Sequence, residues 1–234
     1  MTPLDHPALD RPIWHALSTL QRSVSVGTER ARRFHPDIGP LAATIDDEAE
    51  SLAELAALVV SAGGLGLMQA VASPVPPGCR EEIRAPAVQM VLESPDRLVE
   101  EAAIDDAGIE PLGDTDAGDM LALATATAPG PFAARTHTLG RFWGVRIEGR
   151  LVAMAGERMR LPGLTEVSGV CTHPDVRGRG LAAILCSRVA RDVLVRGDRP
   201  FLHAFASNAG AIALYERLGF RLRREMTFVL LRPA

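Results

Sequence analysis

Arg177-Gly178-Arg179-Gly180-Leu181-Ala182 lies between an extended run that ends at Thr172 and the first turn of an amphipathic segment. Residues of these types in that place make an anion site. The opening backbone N–H groups of a helix have no partner within it, and small residues let an anion approach them closely. The helix dipole adds partial positive charge, and Arg177 and Arg179 can bind phosphate oxygens. A diphosphate suits the loop better than a single carboxylate. Two other phosphate-binding patterns are missing. The sequence has no lysine and so no G-x-x-x-x-G-K-[ST] loop, and the G-x-G-x-x-G spacing of dinucleotide binders is absent. Nucleotide hydrolysis and hydride transfer both lose ground.

The other candidate groups are scattered. Cys79, Cys171 and Cys186 form no close pair, which predicts neither a disulfide framework nor a zinc site. No histidine is placed by sequence to activate Cys171, so it reads as a small apolar strand residue. His173 reads as a loop residue before Pro174, and His203 as a strand residue whose partner the sequence does not reveal. Tyr215, the sole tyrosine, shares an apolar stripe with Ala211, Leu214 and Leu218, which by spacing alone means core. Asn208 reads as the N-cap of that helix. The Arg221-Leu222-Arg223-Arg224 cluster reads as a solvated strand end.

These residues need elements to hold them. Phe142 to Ile147 and Leu151 to Met159 read as strands around a Glu148-Gly149 hairpin turn, and Thr165 to Thr172 as the next strand. After the glycine loop, Leu181, Ile184, Leu185, Val189 and Val193 fall on one helical face, with Arg188, Arg191, Asp192 and Arg196 opposite. Pro200 to Phe205 is a strand, Asn208 to Leu218 a helix stopped by Gly219, and Thr227 to Leu231 a last strand. This rhythm implies a mixed sheet with helices on both faces. Ahead of it, Asp10 and Pro12 start a short helix, and Asp46 or Asp47 caps a stronger one that ends at Gly63-Gly64. Ser23 to Val26, Leu65 to Val71 and Ala87 to Leu92 look strand-like, and the proline-rich Ser73 to Pro86 reads as a long loop. A boundary falls near residue 106, giving regions 1–105 and 106–234.

Val170-Cys171-Thr172-His173-Pro174-Asp175-Val176-Arg177-Gly178-Arg179-Gly180-Leu181-Ala182 resembles the acyl-CoA-binding motif of the GNAT superfamily of N-acyltransferases, with Arg177, Gly180 and Ala182 at its core positions. Asn208-x-x-Ala211-x-x-Leu214-Tyr215-x-x-x-Gly219-Phe220 resembles the family's later helix, at the expected distance of one helix and one strand. Ser168 to Pro174 is similar to the branch that includes glycine N-acyltransferase-like enzymes. The resemblance covers residues 107–234 and implies an α/β (α+β) fold with a mixed, mostly antiparallel central sheet. It also allows the front region to be a smaller, degenerate copy of that fold.

As that resemblance implies, acetyl-CoA lies with its diphosphate on Arg177 to Ala182, and its arm runs between the strand ending at Thr172 and the strand Phe201 to Phe205, which splay apart. The thioester carbonyl meets a backbone N–H near Val170 or Cys171, a donor that stabilises the tetrahedral oxyanion. Asn208 faces the cofactor arm. Tyr215 donates a proton to the departing thiolate, from a phenol with an ordinary pKa of about 10 to a thiolate of about 8.5. An alkylammonium with a pKa near about 10.4 must lose a proton before it attacks, and Glu166 is the best carboxylate for that base, with Ser168 as relay.

Composition bounds the rest. With 234 residues, 47% hydrophobic and 23% charged, the chain is an ordinary globular one, and no run approaches the roughly 18 apolar residues of a spanning helix. MTPLDHPALDRPIW lacks the positive start and apolar core of a signal peptide, so a cytoplasmic location is expected. Residues 1–130 carry eight arginines against 21 acids, or −13, whereas residues 131–234 carry 17 arginines against eight acids, or +9. Ten aromatic residues without an interleaved basic platform argue against nucleic acid as the partner. The expected function is transfer of an acetyl or other acyl group to a primary amine of a small molecule or peptide, directly in a ternary complex, with no metal and no membrane. A homodimer is compatible with the sequence. The acidic front half would form one wall of the acceptor site and favour a cationic amine. The competing reading is a non-catalytic acyl-CoA-binding or sensing module.

Overall fold

In the computed structural model, which describes residues 6–105 and 107–234, Pro12 opens the first helix, α1 (Pro12–Ser18), where a missing N–H costs nothing. Three short strands follow, β1 (Ser25–Gly27), β2 (Ala31–Phe34) and β3 (Ala42–Thr44), in a small antiparallel sheet of that order. Helix α2 (Ala49–Ala62) buries Leu52, Leu55 and Val59 and ends where Gly63 turns left-handed, at φ 72°. Then come β4 (Leu65–Gln69), β5 (Cys79–Leu92) and α3 (Glu101–Asp105). The back half runs β6 (Ile109–Leu112), α4 (Ala117–Thr127), β7 (Phe142–Ile147), β8 (Arg150–Leu161), β9 (Leu164–Thr172), α5 (Leu181–Val195), β10 (Arg199–Phe205), α6 (Ala209–Arg217) and β11 (Phe220–Pro233). The first five residues of the segment read for a signal peptide, and the boundary residue Asp106, lie outside the described residues.

Eight strands form one sheet in the order β4-β11-β5-β10-β9-β8-β7-β6. Among the described residues every neighbouring pair in it is antiparallel except β9 with β10. Strands from both sides of residue 106 therefore share this sheet, with β5 inserted between β10 and β11. Alternation along each strand feeds two cores. Met90, Leu92 and Leu202 meet Leu185, Cys186 and Val189 of α5 on one face. Val91, Phe201 and Met159 meet Leu9, Ile13, Trp14 and Leu17 of the front region on the other. Helix α4 packs Met120 and Leu123 on Phe142, Met154 and Cys171.

Several local expectations need correction. The proline-rich Ser73 to Pro86 is not all loop, because its second half begins β5. Before Ala87 that strand pairs only with β11, so Pro86 sits where no second neighbour asks for its N–H. This arm is largely exposed, which is why it shows no apolar alternation. Strand β11 begins at Phe220, seven residues before the predicted start. A bulge between Leu222 and Arg224 turns Arg223 inward, so Arg223 is no solvated strand end. Its side chain is 3% exposed and donates to Asp10, to Gln89 and to the carbonyl of His6. Asp10 does not cap α1, whose N-cap is Arg11, but pairs with Arg223 and Arg224 across the two halves of the chain. Among the described residues no helix is long and apolar enough to cross a membrane.

Candidate active site

Strands β9 and β10 run side by side for three residue pairs, from Arg199 with Leu164 to Phe201 with Glu166, and then part. Each keeps its other neighbour: β9 continues along β8, and β10 along β5. Near its end β9 bulges, since the four residues Ser168 to Cys171 oppose the three from Gly156 to Met154, and Gly169 takes φ 63°. The result is a V-shaped opening at the carboxyl ends of two parallel strands, the splay that the resemblance implies. Helices α5 and α6 begin beside it.

The loop into α5 is built as an anion cradle. Gly178 and Gly180 have φ 81° and 78°, and a Cβ at either would meet only open space, so glycine is needed for the backbone turn and not for packing. Helix α5 has no side-chain cap. No backbone N–H from Gly178 to Ala183 is bonded to a described residue, and the first to find an acceptor is that of Ile184, on Gly180. Arg177 donates through Nε to the Thr172 carbonyl at 3.2 Å, which lays its guanidinium beside the loop. Free amides at a helix N-terminus with two exposed arginines fit the diphosphate of an acyl-CoA.

Two connected cavities open from this point. The larger, of about 590 Å³, is lined by all ten residues expected to hold the cofactor: Val170, Cys171, Thr172, Arg177, Gly178, Arg179, Gly180, Leu181, Ala182 and Asn208. The smaller, of about 150 Å³, shares Val170, Asn208, Ala211 and Tyr215 with it and continues to Arg158, His203, Phe205, Phe228 and the front-region residues Leu41 and Met68. Asn208 caps α6, accepting from the Ala211 N–H at 3.1 Å. Tyr215 packs its ring edge against Phe220, with centroids 6.1 Å apart, so it belongs to the core as its spacing implies. It also lines both cavities, and its hydroxyl is bonded to no described residue. Burial raises its pKa, so the phenol stays protonated.

Glu166 lines neither cavity. Its side chain is 1% exposed and accepts from Arg158 Nε at 2.8 Å, Arg158 Nη2 at 2.7 Å and His203 Nδ1 at 2.8 Å. Burial alone would raise its pKa, but the Arg158 charge and these hydrogen bonds outweigh it and hold the carboxyl at about 2. The chain continues beyond His203. Gln89 gives one N–H to the Leu9 carbonyl at 2.9 Å, lies 2.9 Å from His203 Nε2, and accepts from Arg223 through Oε1. Because Gln89 Nε2 can only donate, His203 Nε2 accepts and Nδ1 carries the proton, so the ring is neutral and both nitrogens are engaged. Sequence reasoning missed this network, since its members lie on five strands and no spacing links them.

The remaining candidates are quiet. Burial pushes the Cys171 thiol up to about 11, as suits an apolar strand residue and not a nucleophile. His173 is a loop residue whose Nδ1 accepts from the Asp175 N–H at 3.3 Å. Among the described residues no group of His, Cys, Asp and Glu could hold a metal ion. Among the described residues no aspartate or glutamate lines either cavity, and the front region gives the smaller one Leu41 and Met68 instead of the expected acidic wall.

Comparison with known proteins converges on one family. The model of the FR47-like protein family matches residues 143–229. A GNAT-family structure from Novosphingobium aromaticivorans DSM 12444, named as an acetyltransferase, is 47% identical and superposes with a TM-score of 0.89 over 98% of this chain and 100% of its own. A GCN5-related N-acetyltransferase from Kribbella flavida shares the fold at 21% identity and TM-score 0.63, over 96% and 95% of the two chains. No curated protein matches the chain.

Proposed function

The chain belongs to the GNAT family of acetyltransferases, and from that premise we propose that it moves an acyl group, acetyl first of all, from acyl-CoA to a primary amine by direct attack in a ternary complex. The observation that carries this reading is the run of unbonded amides from Gly178 to Ala183, opening into a cleft that ends at Tyr215. The bulged Ser168 to Pro174 segment, similar to the glycine N-acyltransferase-like branch, gives that cleft Val170, Cys171 and Thr172, and that finer kinship is part of the proposal.

When bound, the acyl-CoA supplies an electrophilic thioester carbonyl. The amides and arginines of the loop bind its diphosphate, Asn208 faces its arm, and a backbone N–H at Val170 or Cys171 donates to the developing oxyanion. The neutral amine adds to the carbonyl, the tetrahedral adduct collapses with loss of the C–S bond, Tyr215 gives its proton to the departing thiolate, and the proton released by the new amide nitrogen passes through water to restore the phenol. The acceptor ammonium must shed a proton of its own. A carboxyl held at about 2 takes none up at neutral pH, so Glu166 acts as a positioning residue for Arg158 and His203, and the proton leaves through water. Burial among Leu41, Met68, Phe205 and Phe228 favours the neutral amine.

Calorimetric titration with acetyl-CoA and with CoA, followed by an amine panel read by thiol release, tests the reading. Micromolar binding at one site per chain and amine-dependent release support it. Binding without turnover of any amine would leave a CoA sensor, and no binding would remove the proposal.

A further inference from the structure

The smaller cavity holds a cation with an unused edge. Glu166 engages one side of the Arg158 guanidinium, through Nε at 2.8 Å and Nη2 at 2.7 Å. A guanidinium carries five N–H donors, so both hydrogens of Nη1 and one of Nη2 remain, and none meets a described residue. Together they form the forward edge that grips a carboxylate with two parallel hydrogen bonds. The Arg158 side chain is 13% exposed and lines the cavity. Glu166 offsets its charge, so recognition here rests on directed donors more than on net field. The same pair fixes the guanidinium plane, which lowers the ordering cost when a partner arrives.

The rest of the cavity narrows the choice. His203 is neutral with both nitrogens taken, and among the described residues no acid lines the cavity to receive a cation. Leu41, Met68, Phe205 and Phe228 give it apolar walls. Its volume of about 150 Å³ lies below the roughly 300 Å³ of common ligand sites, so it takes a small body.

Resting on the acyl-transfer reading, we propose that the acceptor is a small amine bearing a carboxylate and an apolar body, with the carboxylate held by the free edge of Arg158 and the apolar part against Met68 and Phe228. Arg158 is thus the specificity-determining residue, and Glu166 positions it.

The test uses the full chain with leucine, leucinamide and 3-methylbutylamine, which share a body and differ in the carboxylate. Turnover is read by thiol release. Acceptor binding is read separately as the thermal shift each amine adds in saturating CoA. Leucine should exceed 3-methylbutylamine by about tenfold or more in kcat/KM and give the larger shift, since losing a bidentate partner is costly. In the doubly neutral Arg158→Met/Glu166→Gln chain that preference should fall to near unity while acetyl-CoA affinity stays within about twofold, because Arg158 does not line the larger cavity. Arg158→Lys, which keeps the charge but loses the fork, should restore only part of it. Equal or better use of 3-methylbutylamine by the unmodified chain, or no shift and no turnover with leucine, overturns the inference. Loss of acetyl-CoA binding in calorimetry would instead remove the acyl-transfer reading beneath it.

Discussion

The cofactor side of the cleft is built around one stretch, Val170 to Ala183, with α6 along its length and Thr127 to Pro129 completing it. The acceptor side is gathered from Leu41, Met68, Arg158, His203, Phe205 and Phe228, which span most of the chain. The first works through backbone N–H groups, so it asks for glycine at fixed points and tolerates little else. The second works through side chains brought together by the sheet, so it can change partner by substitution without disturbing the frame. A constant donor and a variable acceptor require this division.

The sharpest break in the comparison comes from Gly180→Glu. The residue needs φ 78°, and a carboxylate there would fill the cradle with the charge it is meant to attract. Acetyl-CoA binding should fall by about a thousandfold or more, which is about 4 kcal/mol, while the chain remains folded. Calorimetry read beside circular dichroism measures both. Retained micromolar affinity would mean that the loop is only a turn.

The acceptor side should fail in the opposite way, through stability. Arg158→Met alone strands the Glu166 carboxylate in the interior and should cost about 3 kcal/mol in urea unfolding, largely recovered when Glu166→Gln is added. The same pair gives a pH signature. Because the folded pKa of Glu166 is depressed from 4.5 to about 2, its contribution is fully present above about 4.5 and is lost as pH falls towards 2. Urea midpoints between pH 6 and 2.5 should drop more in the native chain than in the neutral double variant.

Tyr215 stands where the two cavities meet, and it separates chemistry from binding. Tyr215→Phe keeps the ring against Phe220 and removes only the hydroxyl, so kcat should fall by about a hundredfold with acetyl-CoA affinity unchanged. Single-turnover thiol release gives the first quantity and calorimetry the second. An unchanged kcat would assign Tyr215 to the core alone, the role its spacing implies.

What could be read from sequence follows the same division. Turns, the glycine loop and the Asn208 cap are local, and their residue types carry their geometry. Arg223 shows the other case: it reads as one of three exposed arginines, yet a single-residue bulge turns it onto Gln89 and Asp10. Glu166 reads as a base because it lies on the strand carrying the acyl site. Only the neighbouring strands show that Arg158 and His203 have claimed both its oxygens. Nor could the −13 of residues 1–130 say which of them would reach the cleft, and the described ones that do are uncharged: Leu41, Met68 and Thr127 to Gly130.

That last point yields the smallest expected effect and a direct probe of the front region. Met68 lies on β4, paired with Phe228 of β11, and both line the acceptor cavity but not the cofactor side. It is half-buried, so Met68→Ala should cost little stability and should leave acetyl-CoA affinity alone. It does remove apolar surface from the acceptor wall, worth about 1 kcal/mol and hence about a fivefold rise in KM for an apolar amine. The rise should shrink for glycine, which has no body to lose contact. An equal change for both acceptors would mean that β4 merely braces the sheet, and that the front region takes no part in choosing the amine.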